Sequence, residues 1–108
     1  MERYWKPEDM ESRELCAGVT AKVAWGDKLM FSLVTLAPGA IVPEHAHPHE
    51  QMGMLLSGAM TLVVSGAPRP LAPREMYLVP GGVRHSATAG PGGAVALDAF
   101  APPREEYK

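Results

Sequence analysis

Glycine and proline, 11 of each in 108 residues, interrupt this chain at short intervals. The breaks fall at Gly18, Gly26, Pro38-Gly39, Ser57-Gly58, Gly66-Ala67-Pro68, Pro80-Gly81-Gly82 and Pro91-Gly92-Gly93. Between them lie apolar or β-branched runs of strand length, a pattern that predicts an all-β sandwich or barrel. The expected strands run from Gly18 to Trp25, Lys28 to Leu36, Gln51 to Leu56, Ala59 to Ser65, Met76 to Val79, Arg84 to Thr88 and Gly93 to Phe100. Gly26-Asp27 and Ser57-Gly58 suit tight hairpin connections. Only Pro7 to Leu15 offers a weak helical periodicity.

A chain of this length holds one core and has no room for a catalytic domain plus a regulator. A formal net charge of −2 with 20% charged residues gives no basic footprint, so no nucleic-acid partner is expected. The apolar stretches are too short to cross a bilayer, and the N-terminal residues lack the apolar core of a signal peptide, so no membrane partner and a cytoplasmic location are expected. The single cysteine, Cys16, has no partner within the chain and reads as an ordinary thiol. Leu29 to Leu36 is apolar on nearly both faces, more than a strand with one wet face requires, and so a homodimer is expected in which this surface or the N-terminal segment is covered by the second subunit. The seven methionines read as adaptable core filler.

Three of the four histidines fall in His45-Ala46-His47-Pro48-His49, and the fourth is His85. If Pro43 to His47 is extended, His45 and His47 project from the same strand face and form a chelating pair. Imidazoles without a thiolate suit a transition metal rather than a structural cysteine-zinc knot.

The wider pattern is that of a known family. Gly39-x5-His45-x-His47-x3-Gln51-x6-Gly58 resembles the first cupin motif, with Gln51 where a Glu ligand is usual. Pro80-Gly81-Gly82-Val83-Arg84-His85 resembles the second, whose His completes the metal shell. Arg74 stands where that second motif opens with Gly, and Ala89 replaces its closing Asn. The resemblance covers about residues 18 to 100. It implies a single-domain jelly-roll β-barrel (residues 18–108) after an N-terminal extension (residues 1–17). It also implies one divalent transition metal, Ni, Zn, Mn or Fe, on His45, His47, Gln51 and His85. Glu44, His49 and Glu50 fall outside the motif's register and read as loop or supporting residues.

Asp98 lies in an apolar run, Val95-Ala96-Leu97-Asp98-Ala99-Phe100, where a carboxylate is costly to bury unless paired or functional. Phe100-Ala101-Pro102-Pro103-Arg104-Glu105-Glu106-Tyr107 is similar to the ending of one cupin group, the KdgF-type pectin-degradation proteins. Those enzymes convert 4,5-unsaturated monouronates into linear keto sugars. The likeness implies a small anionic substrate, with Asp98 as general acid/base, Phe100 against the sugar face and Arg104 on the carboxylate. A water or a tyrosine delivering the proton remains open beside Asp98. Three imidazoles and an amide leave the metal's charge unneutralised, which favours an anionic oxygen ligand. Two other readings stand beside this one: an Fe(II) cupin dioxygenase acting on a small organic substrate, and a non-catalytic metal-bound cupin that binds a sugar or small acid.

Overall fold

In a computed structural model describing all 108 residues, the runs between the glycine and proline breaks form eight antiparallel strands. They are β1 (Arg13–Cys16), β2 (Val19–Trp25), β3 (Met30–Leu36), β4 (Ile41–His45), β5 (Glu50–Val64), β6 (Ala67–Leu71), β7 (Met76–Val79) and β8 (His85–Ala101). Each buries alternate residues where one face is covered. In β3, Met30, Ser32, Val34 and Leu36 point inward while Phe31 and Thr35 are exposed.

Two long strands organise the jelly roll. The first half of β5 pairs with β7 and with the second half of β8, which also pairs with β3. The second half of β5 pairs with β6 and with the first half of β8, which also pairs with β4. Both strands therefore pass from one sheet into the other. The two sheets are β1-β2-β3-β8-β5-β7 and β4-β8-β5-β6. Between them sits a core of 13 buried residues that includes Val19, Leu55, Leu62 and Val79. Leu55 is fully buried, so truncating it to Ala is expected to cost about 2–5 kcal/mol.

The expected hairpin at Ser57-Gly58 is not formed. The register shifts between Leu55 and Ser57 and again between Gly58 and Met60, so β5 bends through bulges and continues. Gly58 takes φ +81, and a Cβ there would run into the backbone of Gly93 and Ala94. The same bend joins the expected strands Arg84 to Thr88 and Gly93 to Phe100 into one, β8. The β2–β3 hairpin exists, but its loop runs from Gly26 to Leu29, closed by Gly26 N–H donating to the Leu29 carbonyl at 2.9 Å.

Strand β6 is absent from the sequence expectation because Pro68 and Pro70 argue against a strand. It is an edge strand that pairs only with β5, and an edge tolerates proline. The weak helical periodicity over Pro7 to Leu15 yields only a 3-10 turn at Pro7–Asp9. The following residues form β1, which pairs with β2. The Lys22 ammonium donates to the Pro7 carbonyl at 2.7 Å and ties the N-terminal segment to β2. No helix is long and apolar enough to cross a membrane.

Candidate metal centre

Register places the polar inward residues in two neighbouring rows. Met30, Phe100, Gln51 and Val79 form one row across β3, β8, β5 and β7. Ser32, Asp98, Gly53 and Tyr77 form the next. His45 closes β4 and faces His85 at the start of β8. Strand β4 stops there, so His47 does not share a strand face with His45 as expected. It reaches the site from the loop before β5, where Gly82 N–H donates to the His47 carbonyl at 2.8 Å.

His45, His47 and His85 have ligating atoms within 4.8 Å of one another and could hold a metal ion. Each ring makes one hydrogen bond through Nδ1 to a backbone carbonyl: His45 to Pro43 at 2.8 Å, His47 to His49 at 3.1 Å and His85 to Val83 at 2.9 Å. A carbonyl only accepts, so Nδ1 carries the proton in all three and the neutral rings keep their lone pairs on Nε2. Burial holds His47 and His85 below the usual imidazole range, with the Arg104 charge acting in the same direction. His85 Nε2 is buried with no hydrogen-bond partner. Gln51 Oε1 lies 3.1 Å from His47 Nε2. With that nitrogen unprotonated, two lone pairs face each other, an arrangement suited to a shared cation. Three neutral imidazoles and an amide oxygen thus fit a divalent transition ion.

Asp98 is buried next to this cluster. It accepts a hydrogen bond from Tyr77 Oη at 2.6 Å. Desolvation pushes its carboxyl up to about 6, while the hydrogen bonds from Tyr77 and Gln51 and the Arg104 charge pull partly back. Burial and the Asp98 charge push the Tyr77 phenol well above its usual range. Arg104 is also buried, with its guanidinium 4.0 Å from the Tyr107 ring centre and 5.2 Å from that of Phe100. Its Nη1 donates to Tyr107 Oη at 2.9 Å. Its Nε makes no hydrogen bond and faces only the Glu106 carboxylate at 3.5 Å. A buried guanidinium whose carboxylate contact is an exposed glutamate at 3.5 Å is suited to a further anion.

A cavity of about 70 Å³ is lined by His45, Gln51, His85, Asp98, Phe100 and Arg104, together with Ser32, Tyr77 and Tyr107. His47 packs edge-on against Phe100, at 5.6 Å between ring centres. Every metal-ligand and substrate-side residue singled out in the sequence therefore lies at one place. Ser32, Tyr77 and Tyr107 were not singled out there. Strand alternation in Met76–Val79 and one polar inward residue in the apolar run Met30–Leu36 are the signals that point to the first two. Of the neighbouring residues, Glu44 pairs with Arg84 at 3.5 Å on the surface, Glu50 is exposed, and His49 contributes its carbonyl to His47.

The whole fold is similar to that of KdgF from a Halomonas species, at 24% identity, full coverage of both chains and a TM-score of 0.93. An RmlC-like cupin from Shewanella frigidimarina NCIMB 400 is 27% identical, with a TM-score of 0.93 over 100% of this chain and 97% of that one. Oxalate decarboxylase from Lactobacillus farciminis, in a formate complex, is 19% identical with a TM-score of 0.80. That match covers 89% of this chain and 31% of the decarboxylase. No curated protein matches the sequence. Residues 32–100, more than half of the chain and the span holding all four candidate ligands, match the cupin domain model, and the chain belongs to the cupin family.

Proposed function

We propose that this protein is a metal-dependent cupin enzyme that converts 4,5-unsaturated monouronates to linear keto sugars. The observation that carries this reading is the convergence of an uncharged ligand set, a buried carboxyl and a buried, partly unpartnered arginine on one cavity. The likeness to KdgF, over the full length of both chains, supports it. A divalent ion held by His45, His47, Gln51 and His85 supplies Lewis acidity toward an anionic oxygen.

The remaining chemistry falls to side chains. Arg104, which lines the cavity, offers its guanidinium to the substrate carboxylate, and Phe100 presents its ring to the sugar face. Asp98 takes the proton of the anomeric hydroxyl as the C1–O5 bond breaks and the C1 aldehyde forms. The electron pair released to O5 leaves an enolate over O5, C5 and C4. Asp98 returns the proton to C4, giving the C5 ketone. No atom is gained or lost, so no co-substrate is needed. A carboxyl with a pKa near 6 is suited to both halves of that transfer near neutral pH.

The test follows the ultraviolet absorbance of a purified 4,5-unsaturated galacturonate with metal-loaded protein, against the spontaneous rate. Accelerated loss of the enoate band, abolished by chelation, is expected. No acceleration with any of Ni, Zn, Mn or Fe would remove this reading.

A further inference from the structure

Tyr77 and Asp98 are not on adjacent strands. Strand β5 runs between them, and at the crossing point it carries Gly53, the register partner of both. A Cβ built on Gly53 would overlap Asp98 Oδ1 and the Tyr77 Cζ and Oη atoms. The space above a glycine in the middle of a strand is thus filled by a tyrosine reaching sideways to a carboxylate. Glycine weakens a strand interior, and such a position marks a close approach. Here the approach is that of the phenol to Asp98.

From this arrangement we infer that Tyr77 is a positioning residue for Asp98, acting through the gap left by Gly53. The inference rests on the catalytic role given to Asp98 above. A buried carboxyl in an apolar strand can rotate about its side-chain bonds, and either oxygen can face the cavity. The 2.6 Å bond from Tyr77 occupies Oδ1. Rotation is thereby restrained, with the Gln51 amide as the other group bonded to this carboxyl. At 2.6 Å the bond falls in the range of short, charge-assisted hydrogen bonds. On the other side of Asp98 in the same row stands Ser32, fully buried and with its hydroxyl unpartnered, so it supplies no competing restraint. Tyr77 is the group that fixes this carboxyl from the protein side without being a metal ligand.

The experiment has one readout that needs no turnover and one that does. In proton NMR of the substrate-free, metal-loaded protein, a downfield, slowly exchanging hydroxyl proton is expected. It should be absent in Tyr77→Phe and moved in Asp98→Asn. Its absence from the wild type overturns the inference whatever the enzyme's reaction. In turnover of the unsaturated uronate, Tyr77→Phe is expected to lower kcat about tenfold, the effect of losing one hydrogen bond to a charged group. KM and metal content should not change. In the Asp98→Asn background the same substitution should change nothing further, because its effect passes through the carboxylate. Full kcat in Tyr77→Phe, or an equal loss in both backgrounds, overturns the inference. A wild type that shows the NMR signal but no turnover sinks the uronate reading alone.

Discussion

His47 Nε2 and Gln51 Oε1 face each other at 3.1 Å, and the proton that would make this a hydrogen bond sits on the far ring nitrogen, held by the His49 carbonyl. Two acceptors at this distance repel unless a cation lies between them. His47→Ala is therefore expected to abolish stoichiometric metal binding, measured by metal analysis after dialysis. Gln51→Glu keeps the shape and adds a negative charge. It should tighten the metal while weakening an anionic substrate, seen as a rise in KM. An unchanged KM in Gln51→Glu would show that the amide is not there to keep the centre positively charged.

Asp98→Asn retains volume and burial but removes the proton that moves. Metal content should remain, since Asp98 is outside the histidine cluster. Turnover should fall by roughly 100- to 10,000-fold, the usual weight of a general acid/base. Normal turnover in this variant would transfer the proton role to Tyr77 or to water.

How much of this site could be read from the sequence depended on whether a residue belongs to a spaced motif. His45, His47, Gln51, His85, Asp98, Phe100 and Arg104 do; six of them line one cavity and His47 packs against Phe100 beside it. Strand alternation marks Tyr77 as inward-facing, but its place beside Asp98 over Gly53 follows from cross-strand register, which no local pattern reveals. The same limit applies to the fold. Ser57-Gly58 has the composition of a hairpin tip, and only the close approach of the Gly93 backbone turns it into a bend within one strand. Pro68 and Pro70 argue against a strand until β6 is known to be an edge.

Arg74 gives a stability prediction of its own. It stands where the second cupin motif usually has Gly, and it takes φ +76, a conformation that glycine adopts without strain. Its backbone N–H donates to the Leu55 carbonyl at 2.7 Å, so the turn is held in place. The side chain is exposed, and removing it loses little packing. Arg74→Gly is expected to stabilise the protein by about 1 kcal/mol. Chemical denaturation should show a higher midpoint at unchanged slope, and no increase would mean that the strain is relieved elsewhere.

Buried groups of opposite sign set the acid response of the metal-free protein. Burial holds His47 and His85 below the ordinary value of 6.5, so their contribution is complete above that pH. It is lost as pH falls below 6.5, because the unfolded chain then binds protons that the folded one does not. Asp98 acts in the opposite sense. Its carboxyl is raised from 3.8 to about 6, so the folded state holds the extra proton between those values and loses stability as pH rises through them. The two effects oppose each other in the wild type and only the histidine effect survives in Asp98→Asn, so the melting temperature is expected to fall more steeply with acid below pH 6.5 in the variant than in the wild type. An equal or shallower acid dependence in the variant would contradict this account.

The outer face of the larger sheet is where the expected homodimer would form. Phe31, Ala99, Met52 and Leu78 make one outward row, and Leu33, Leu97, Met54 and Met76 make the next. None is charged, and Phe31, Met52, Met76 and Leu78 are each at least half exposed. A contiguous apolar patch of this kind is unusual on a monomer. A two-fold axis through it would set like against like, as isologous pairing requires. Sedimentation equilibrium is expected to give twice the chain mass for the wild type. Met52→Asp should give a monomer that still binds metal, because the side chains of its row point away from Gln51 and Asp98. A monomeric wild type at the concentrations used for metal titration would rule out the homodimer, and a dimeric Met52→Asp would move the interface to another face.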